Sequence, residues 1–163
     1  MSSLHIEPAT PADVPMILQL IRELAEFERL LDEVTATEDQ LREHLFGLQP
    51  KAEVIMGRLQ SGGDVAGFAL YFHNYSTFLA KPGIYLEDLY IRQQYRGRGY
   101  GEQLLRRLAG IAIERNCGRL EWSVLDWNQR AIDFYKSLGA APMSEWTIHR
   151  VTGSALQKLG NAG

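Results

Sequence analysis

The sequence predicts a mixed α/β fold of the α+β kind, a single domain over residues 1–163 with a sheet of about six to seven strands and about four helices. Three observations carry this. The runs "AEVIMGRL", "VAGFALYFHNY" and "IYLEDLYI" follow one another with only short connections, so the N-terminal part of the sheet is antiparallel. Later strand-like runs alternate with amphipathic helices, each able to cross over to a parallel neighbour, which predicts a parallel central strand pair. At 163 residues and 45% apolar composition, the chain can bury one real core and is too short for two.

The elements follow in order. "LHIEPA" reads as an opening strand, and Thr10, Pro11 and Asp13 then supply a cap, a first-turn proline and an acidic first turn. The helix they announce places Val14, Ile17, Leu18, Ile21, Leu24 and Ala25 on one face. Thr37 and Gln40 form a capping-box signature ahead of a second, shorter helix. Gly62 and Gly63 in "QSGGD" suit the turn between the next two strands. "IYLEDLYI", residues 84–91, leads through "RQQY" into "RGRGYG" and a helix with Leu104, Leu105, Leu108, Ile111 and Ala112 on one face, closed by Asn116 and Gly118. "RLEWSVL" is a further strand, and "WNQRAIDFYKSLGA" a helix capped by Asn128 and stopped by Gly139. Weaker strands around "APMS" and "WTIHRV" end the domain, with "LGNAG" frayed.

Composition excludes several functions. With 17 Lys+Arg against 20 Asp+Glu, the net charge of −3 provides no general attraction to nucleic acid or to an anionic membrane. Cys117 is the single cysteine, the N-terminal segment lacks the apolar core of a signal peptide, and no apolar run approaches the ~20 residues of a membrane span. A cytoplasmic protein with no membrane or nucleic-acid partner is expected. His5, His44, His73 and His149 stand apart, without Cys or paired carboxylates at ligand spacing, so no metal is expected.

The glycine stretch is the strongest chemical signal. A strand, a glycine turn and a helix N-terminus make an anion site, because unpaired N–H groups and the helix dipole point at the ligand. Gly97, Gly99 and Gly101 are spaced G-x-G-x-G, which is not the dinucleotide fingerprint, and no lysine is present for a P-loop. An RGRG nucleic-acid segment and a plain turn remain as alternatives.

Arg96-Gly97-Arg98-Gly99-Tyr100-Gly101 matches the Q/R-x-x-G-x-G/A signature of the GCN5-related N-acetyltransferases (GNAT), and the whole element order resembles theirs. "IRELAEFERL", "YLEDLYI", "YRGRGYG" and "VLDWNQRAIDFYKSLGA" are similar to the diamine (spermidine/spermine) and thialysine acetyltransferase branch. The resemblance implies acetyl-CoA as cosubstrate, a small-molecule amine as acceptor and a homodimer. A non-catalytic acetyl-CoA sensor of the same fold is the rival reading.

The resemblance also distributes roles. Gly97, Arg98, Gly99, Tyr100, Gly101 and Glu102, with Arg96, would hold the pyrophosphate; Leu89, Tyr90 and Ile91 would offer backbone to the pantetheine arm; Asn128, Gln129, Arg130 and Ala131 would touch the cofactor from the other side. Tyr135 matches the tyrosine that protonates the departing thiolate, although its position on an apolar face also suits a core aromatic. Glu87 matches the carboxylate that accepts the amine's proton, and a salt-bridged strand carboxylate is the alternative. By strand alternation, Glu87 and Asp88 are expected on opposite faces. Phe27, Glu28, Asp88, Glu121, Trp122 and Ser123 match the remaining substrate contacts, whose acidic and aromatic character suits a cation. Glu28 equally suits an exposed helix position. "NYSTFLAK" lacks the Asp-Pro-Trp of polyamine enzymes and is closer to the thialysine type, which favours a small mono- or diamine.

Overall fold

The capping chemistry legible in the sequence sets the first two helices. In a computed structural model, described here over residues 2–162, the Asp13 carboxylate reaches back to accept from the Thr10 N–H at 2.9 Å, and the short 3₁₀ turn Pro11–Asp13 opens into α1 (Val14–Phe27). Thr37 Oγ1 accepts from the Gln40 N–H at 3.2 Å while Gln40 Oε1 accepts from the Thr37 N–H at 3.0 Å, a reciprocal box that starts α2 (Glu38–Phe46).

Five strands form one sheet in sequence order: β1 (His5–Pro8), β2 (Glu53–Arg58), β3 (Val65–Ser76), β4 (Lys81–Ile91) and β5 (Leu120–Trp122). The first four pair antiparallel, and β5 runs parallel to β4 after the crossover helix α3 (Tyr100–Glu114). Two further helices follow, α4 (Gln129–Ser137) and α5 (Gly153–Asn161). The chain divides into two compact units, Met1–Ser123 with the sheet and α1 to α3, and Val124–Gly163 with α4 and α5.

In the first unit the sheet is covered on both faces. Ile17 and Leu20 of α1 and Leu45 of α2 cluster with Val54, Met56, Val65, Phe68 and Tyr90 from the strands. On the other face α3 packs on β2, β3 and β4 and buries Leu104, Leu105, Leu108 and Ile111. Phe68, Ile17, Met56, Leu104 and Leu108 are fully buried, each worth about 1.5–3 kcal/mol in transfer from water. Asn116, at φ +55, closes α3 in the left-handed conformation its sequence position announces. No helix among the described residues is long and apolar enough to cross a membrane.

Three expectations need correction. The sheet has five strands among the described residues, not six or seven, because neither "APMS" nor "WTIHRV" is a strand. β-propensity records a fit to a pleated surface, and the second unit contains no strand among its described residues to form a ladder with these segments. Trp146 N–H instead donates to Met143 O at 3.1 Å, a turn. The parallel pair β4–β5 lies at the sheet edge, not at its centre. Finally, among the described residues the helices number five where about four were expected, since α5 occupies the C-terminal segment through Asn161; Gly163 lies outside the described residues.

Candidate active site

β4 delivers the chain through the 3₁₀ turn Gln93–Tyr95 into the glycine stretch. Gly97 and Gly99 hold φ of +77° and +78°, left-handed conformations in which a Cβ would cost about 1–2 kcal/mol. Gly99 is the N-cap of α3, and the first bond inside the helix runs from Gln103 N–H to Gly99 O at 3.1 Å. The N–H groups of Tyr100, Gly101 and Glu102 thus precede the first intrahelical bond, at the end where the dipole favours an anion. No atom lies within 4 Å of where a Gly97 Cβ would stand, whereas one on Gly101 would make only ordinary contact with Ile91 at 3.9 Å. An open cradle of backbone donors fits a diphosphate ligand.

The side chains around this turn are mostly engaged within the protein. The Arg98 guanidinium lies 5.6 Å from the centroid of Tyr95. Tyr100 is buried, with its hydroxyl 3.1 Å from Ser2 Oγ. Glu102, placed in the first helical turn, is neutralised by Arg106 at 2.9 and 2.6 Å. Arg96 Nε donates to the Ile91 carbonyl at 2.9 Å, with its Cζ over the rings of Phe27 at 4.8 Å and Tyr90 at 5.4 Å.

The middle of β4 is irregular where the carboxylates stand. Asp88 is opposite Leu70 and Leu86 is opposite Tyr71, so Glu87 is an extra residue on β4, a bulge. The regular cross-strand pairing is therefore interrupted between the two carboxylates. Glu87 is exposed and Asp88 half-buried, and both lie within electrostatic reach of Glu28, the residue that caps α1. Burial, with Glu87 and then Glu28 adding like charge, pushes the Asp88 carboxyl up to about 6. Burial first and Glu87 second also raise Glu28 above the usual carboxylate range. A cation placed among these three groups would relieve both effects.

β5 pairs with β4 only from Ile84 to Leu86, so from Glu87 onward β4 has no strand on its outer side within this unit. Leu89, Tyr90 and Ile91 occupy that stretch while pairing with Ala69, Phe68 and Gly67 on the inner side. On β5, Glu121 is not a free carboxylate: its Oε1 accepts from Asn74 Nδ2 at 3.1 Å and forms an ion pair with Arg119 Nε at 2.9 Å. Trp122 stands in register with Leu86, and Ser123 Oγ is 2.7 Å from the Tyr85 hydroxyl.

The remaining expected residues lie in the second unit. Asn128 caps α4, its Oδ1 accepting from the Ala131 N–H at 3.3 Å. Gln129 donates to Asp133 at 2.7 Å, and Arg130 is exposed. Tyr135 lies on α4, half-buried, with its ring 5.6 Å from that of Phe134.

Sequence reading missed a group on the sheet. Phe72 and Tyr85 face one another across β3 and β4 with ring centroids 5.3 Å apart, and Asn74 stands two residues further along β3, opposite Gly83. The residues were visible in "YFHNY" and "IYLED", but which of them face one another becomes known only with the register.

Comparison with known proteins matches this architecture. The Acetyltransferase (GNAT) family matches residues 16–140, spanning the boundary between the two units. The chain is 39% identical over 168 residues to the thialysine N-epsilon-acetyltransferase of Bos taurus, covering 98% of both chains. It is 37% identical to an L-ornithine N5-acetyltransferase of Arabidopsis thaliana, covering 95% of this chain and 87% of that one. Among solved structures, an integron cassette protein from the mobile metagenome of V. cholerae superposes with a TM-score of 0.81 at 30% identity, covering 99% of each chain. With a glycine cradle at the start of α3, a bulged β4 and relatives of this similarity over nearly the full length, the chain belongs to the GNAT acetyltransferase family.

Proposed function

We propose that the protein transfers an acetyl group from acetyl-CoA to the primary amine of a small molecule, with thialysine, ornithine or a short diamine as the substrate class. One observation carries this reading: a single strand, β4, presents a carboxylate cluster at its bulge and runs on into an anion-binding glycine turn. The two ligand chemistries of the reaction, an ammonium and a diphosphate, are served from one element.

The N–H groups from Gly97 to Glu102 bind the pyrophosphate, and the outer edge of Leu89 to Ile91 offers backbone to the pantetheine arm. Acetyl-CoA supplies the activated acetyl thioester. Glu28, Asp88 and Phe27 hold the ammonium of the acceptor, and Glu87 accepts its proton, directly or through water. That removal is required, since an alkylammonium of pKa about 10 is unreactive at neutral pH. Glu121, held by Arg119 and Asn74, orients the β5 side of the amine pocket together with Trp122 and Ser123. On α4, Asn128 to Ala131 contact the cofactor, and the phenol of Tyr135 gives its proton to the leaving thiolate. A phenol suits this role because its ordinary pKa of about 10 keeps the proton available at neutral pH.

In this reading the chain is one catalytic domain over residues 1–163, supported by a family match that runs across both units. Homodimer formation and a cytoplasmic location belong to the same proposal. A coenzyme A release assay over a panel of amines tests it. Turnover with thialysine or ornithine supports the reading, and acetyl-CoA binding without release on any amine would identify a non-catalytic sensor.

A further inference from the structure

Arg96 sits in the glycine turn, where a phosphate contact is its obvious use, yet its guanidinium is committed elsewhere. Nε donates to the Ile91 carbonyl at 2.9 Å, and Cζ lies 4.8 Å from the centroid of Phe27 and 5.4 Å from that of Tyr90. Although Arg96 is exposed, its planar cation touches a carbonyl and two aromatic rings, whose quadrupoles stabilise the charge.

These contacts join two places that are far apart in sequence. Phe27 ends α1, and Glu23 lies one helical turn earlier on the same side. Glu23 accepts from the Tyr90 hydroxyl at 3.3 Å and pairs with Arg92 at 3.2 Å. The last turn of α1 is therefore clasped twice by the segment running from β4 to the glycine turn. The residue just beyond that clasp is Glu28, which shares the carboxylate cluster with Glu87 and Asp88.

We propose that Arg96 is a positioning residue that couples the two ligand sites: closure of the glycine turn on a diphosphate is carried through Arg96 to the end of α1, which holds Phe27 and Glu28 for the amine. The identity of the two ligands rests on the acetyltransferase reading above. Coupling of this kind is reciprocal, so coenzyme A tightens amine binding by the same factor by which the amine tightens coenzyme A.

Calorimetry of thialysine binding, with and without saturating coenzyme A, measures that factor. The unaltered protein should bind thialysine about fivefold tighter or more when coenzyme A is present, and Arg96→Met should bring the ratio to about one. Arg96→Lys keeps the charge but not the planar donor. It should lose most of the coupling. An uncoupled wild type, a Met variant with the full factor, or a Lys variant that restores it completely overturns the proposal.

Hydrogen exchange gives a readout independent of turnover. The amides of Glu28, Arg29 and Leu30 donate to the carbonyls of Leu24, Glu26 and Ala25, and coenzyme A should slow their exchange in the wild type but not in Arg96→Met. If that response appears while no amine is acetylated, the acetyltransferase reading falls and the coupling stands. If turnover is normal and the exchange is indifferent to coenzyme A, the coupling falls alone.

Discussion

Replacing Asp88 with Asn should make the protein more stable at neutral pH and no more stable in acid. Burial, Glu87 and Glu28 lift the Asp88 carboxyl from 3.8 to about 6. The native state therefore holds a proton between roughly pH 4 and 6 that the unfolded chain has already released. Stability from this group falls as pH rises through that window and stays low above it. At 1.36 kcal/mol per pH unit, the displacement amounts to about 3 kcal/mol above pH 6. Asp88→Asn removes the ionisation, so urea unfolding at pH 7.5 should show a gain of about 2–3 kcal/mol, or on the order of 5–10 °C in Tm. At pH 4 the two proteins should be equal. The variant should also lose affinity for the amine if, as proposed, the charge that is costly in the free protein is the one that meets the ammonium. A gain that does not depend on pH, or a loss at pH 7.5, would refute the placement of Asp88 in a desolvated position beside Glu87 and Glu28.

Other substitutions test separate parts of the account. Gly99→Ala forces a side chain into the left-handed cap of α3 and should cost about 1–2 kcal/mol by urea unfolding, with acetyl-CoA binding weakened as the donor cradle shifts. An added Cβ at Gly83 would clash with Asn74 Oδ1. Gly83→Ala should therefore break the Asn74–Glu121 bond, lower stability by about 1–3 kcal/mol and raise the amine KM. Tyr135→Phe should reduce kcat by about 100-fold or more while the acetyl-CoA Kd, measured by calorimetry, stays within about twofold. Glu87→Gln should reduce kcat/KM most below neutral pH, where the ammonium is hardest to deprotonate, and raising the assay pH should recover part of the loss.

How much of this was legible in the sequence depended on whether the cause was local. Helix starts are local: Thr37 with Gln40 and Thr10 with Asp13 act over three residues, and both were readable before any fold was known. Gly97 and Gly99 were readable for the same reason, as a cluster of glycines ahead of a leucine-faced helix. The bulge at Glu87 was not, because a bulge is a mismatch between two strands, and "YLEDLY" alone looks like regular alternation. Strand propensity at residues 146–151 misled in the opposite sense: it marked residues suited to a sheet where the second unit offers them no ladder. Arg96 was legible as a turn arginine but not as a partner of Phe27, which lies 69 positions earlier in the chain.

The most direct test of the central claim is the rate of coenzyme A release from acetyl-CoA in the presence of thialysine, ornithine, lysine, putrescine, spermidine, spermine and N-terminal peptides. The account predicts turnover with the small amines, thialysine-like compounds foremost, and weaker turnover as the charges of the acceptor move further apart. Binding of acetyl-CoA with no amine-dependent release above background would contradict it.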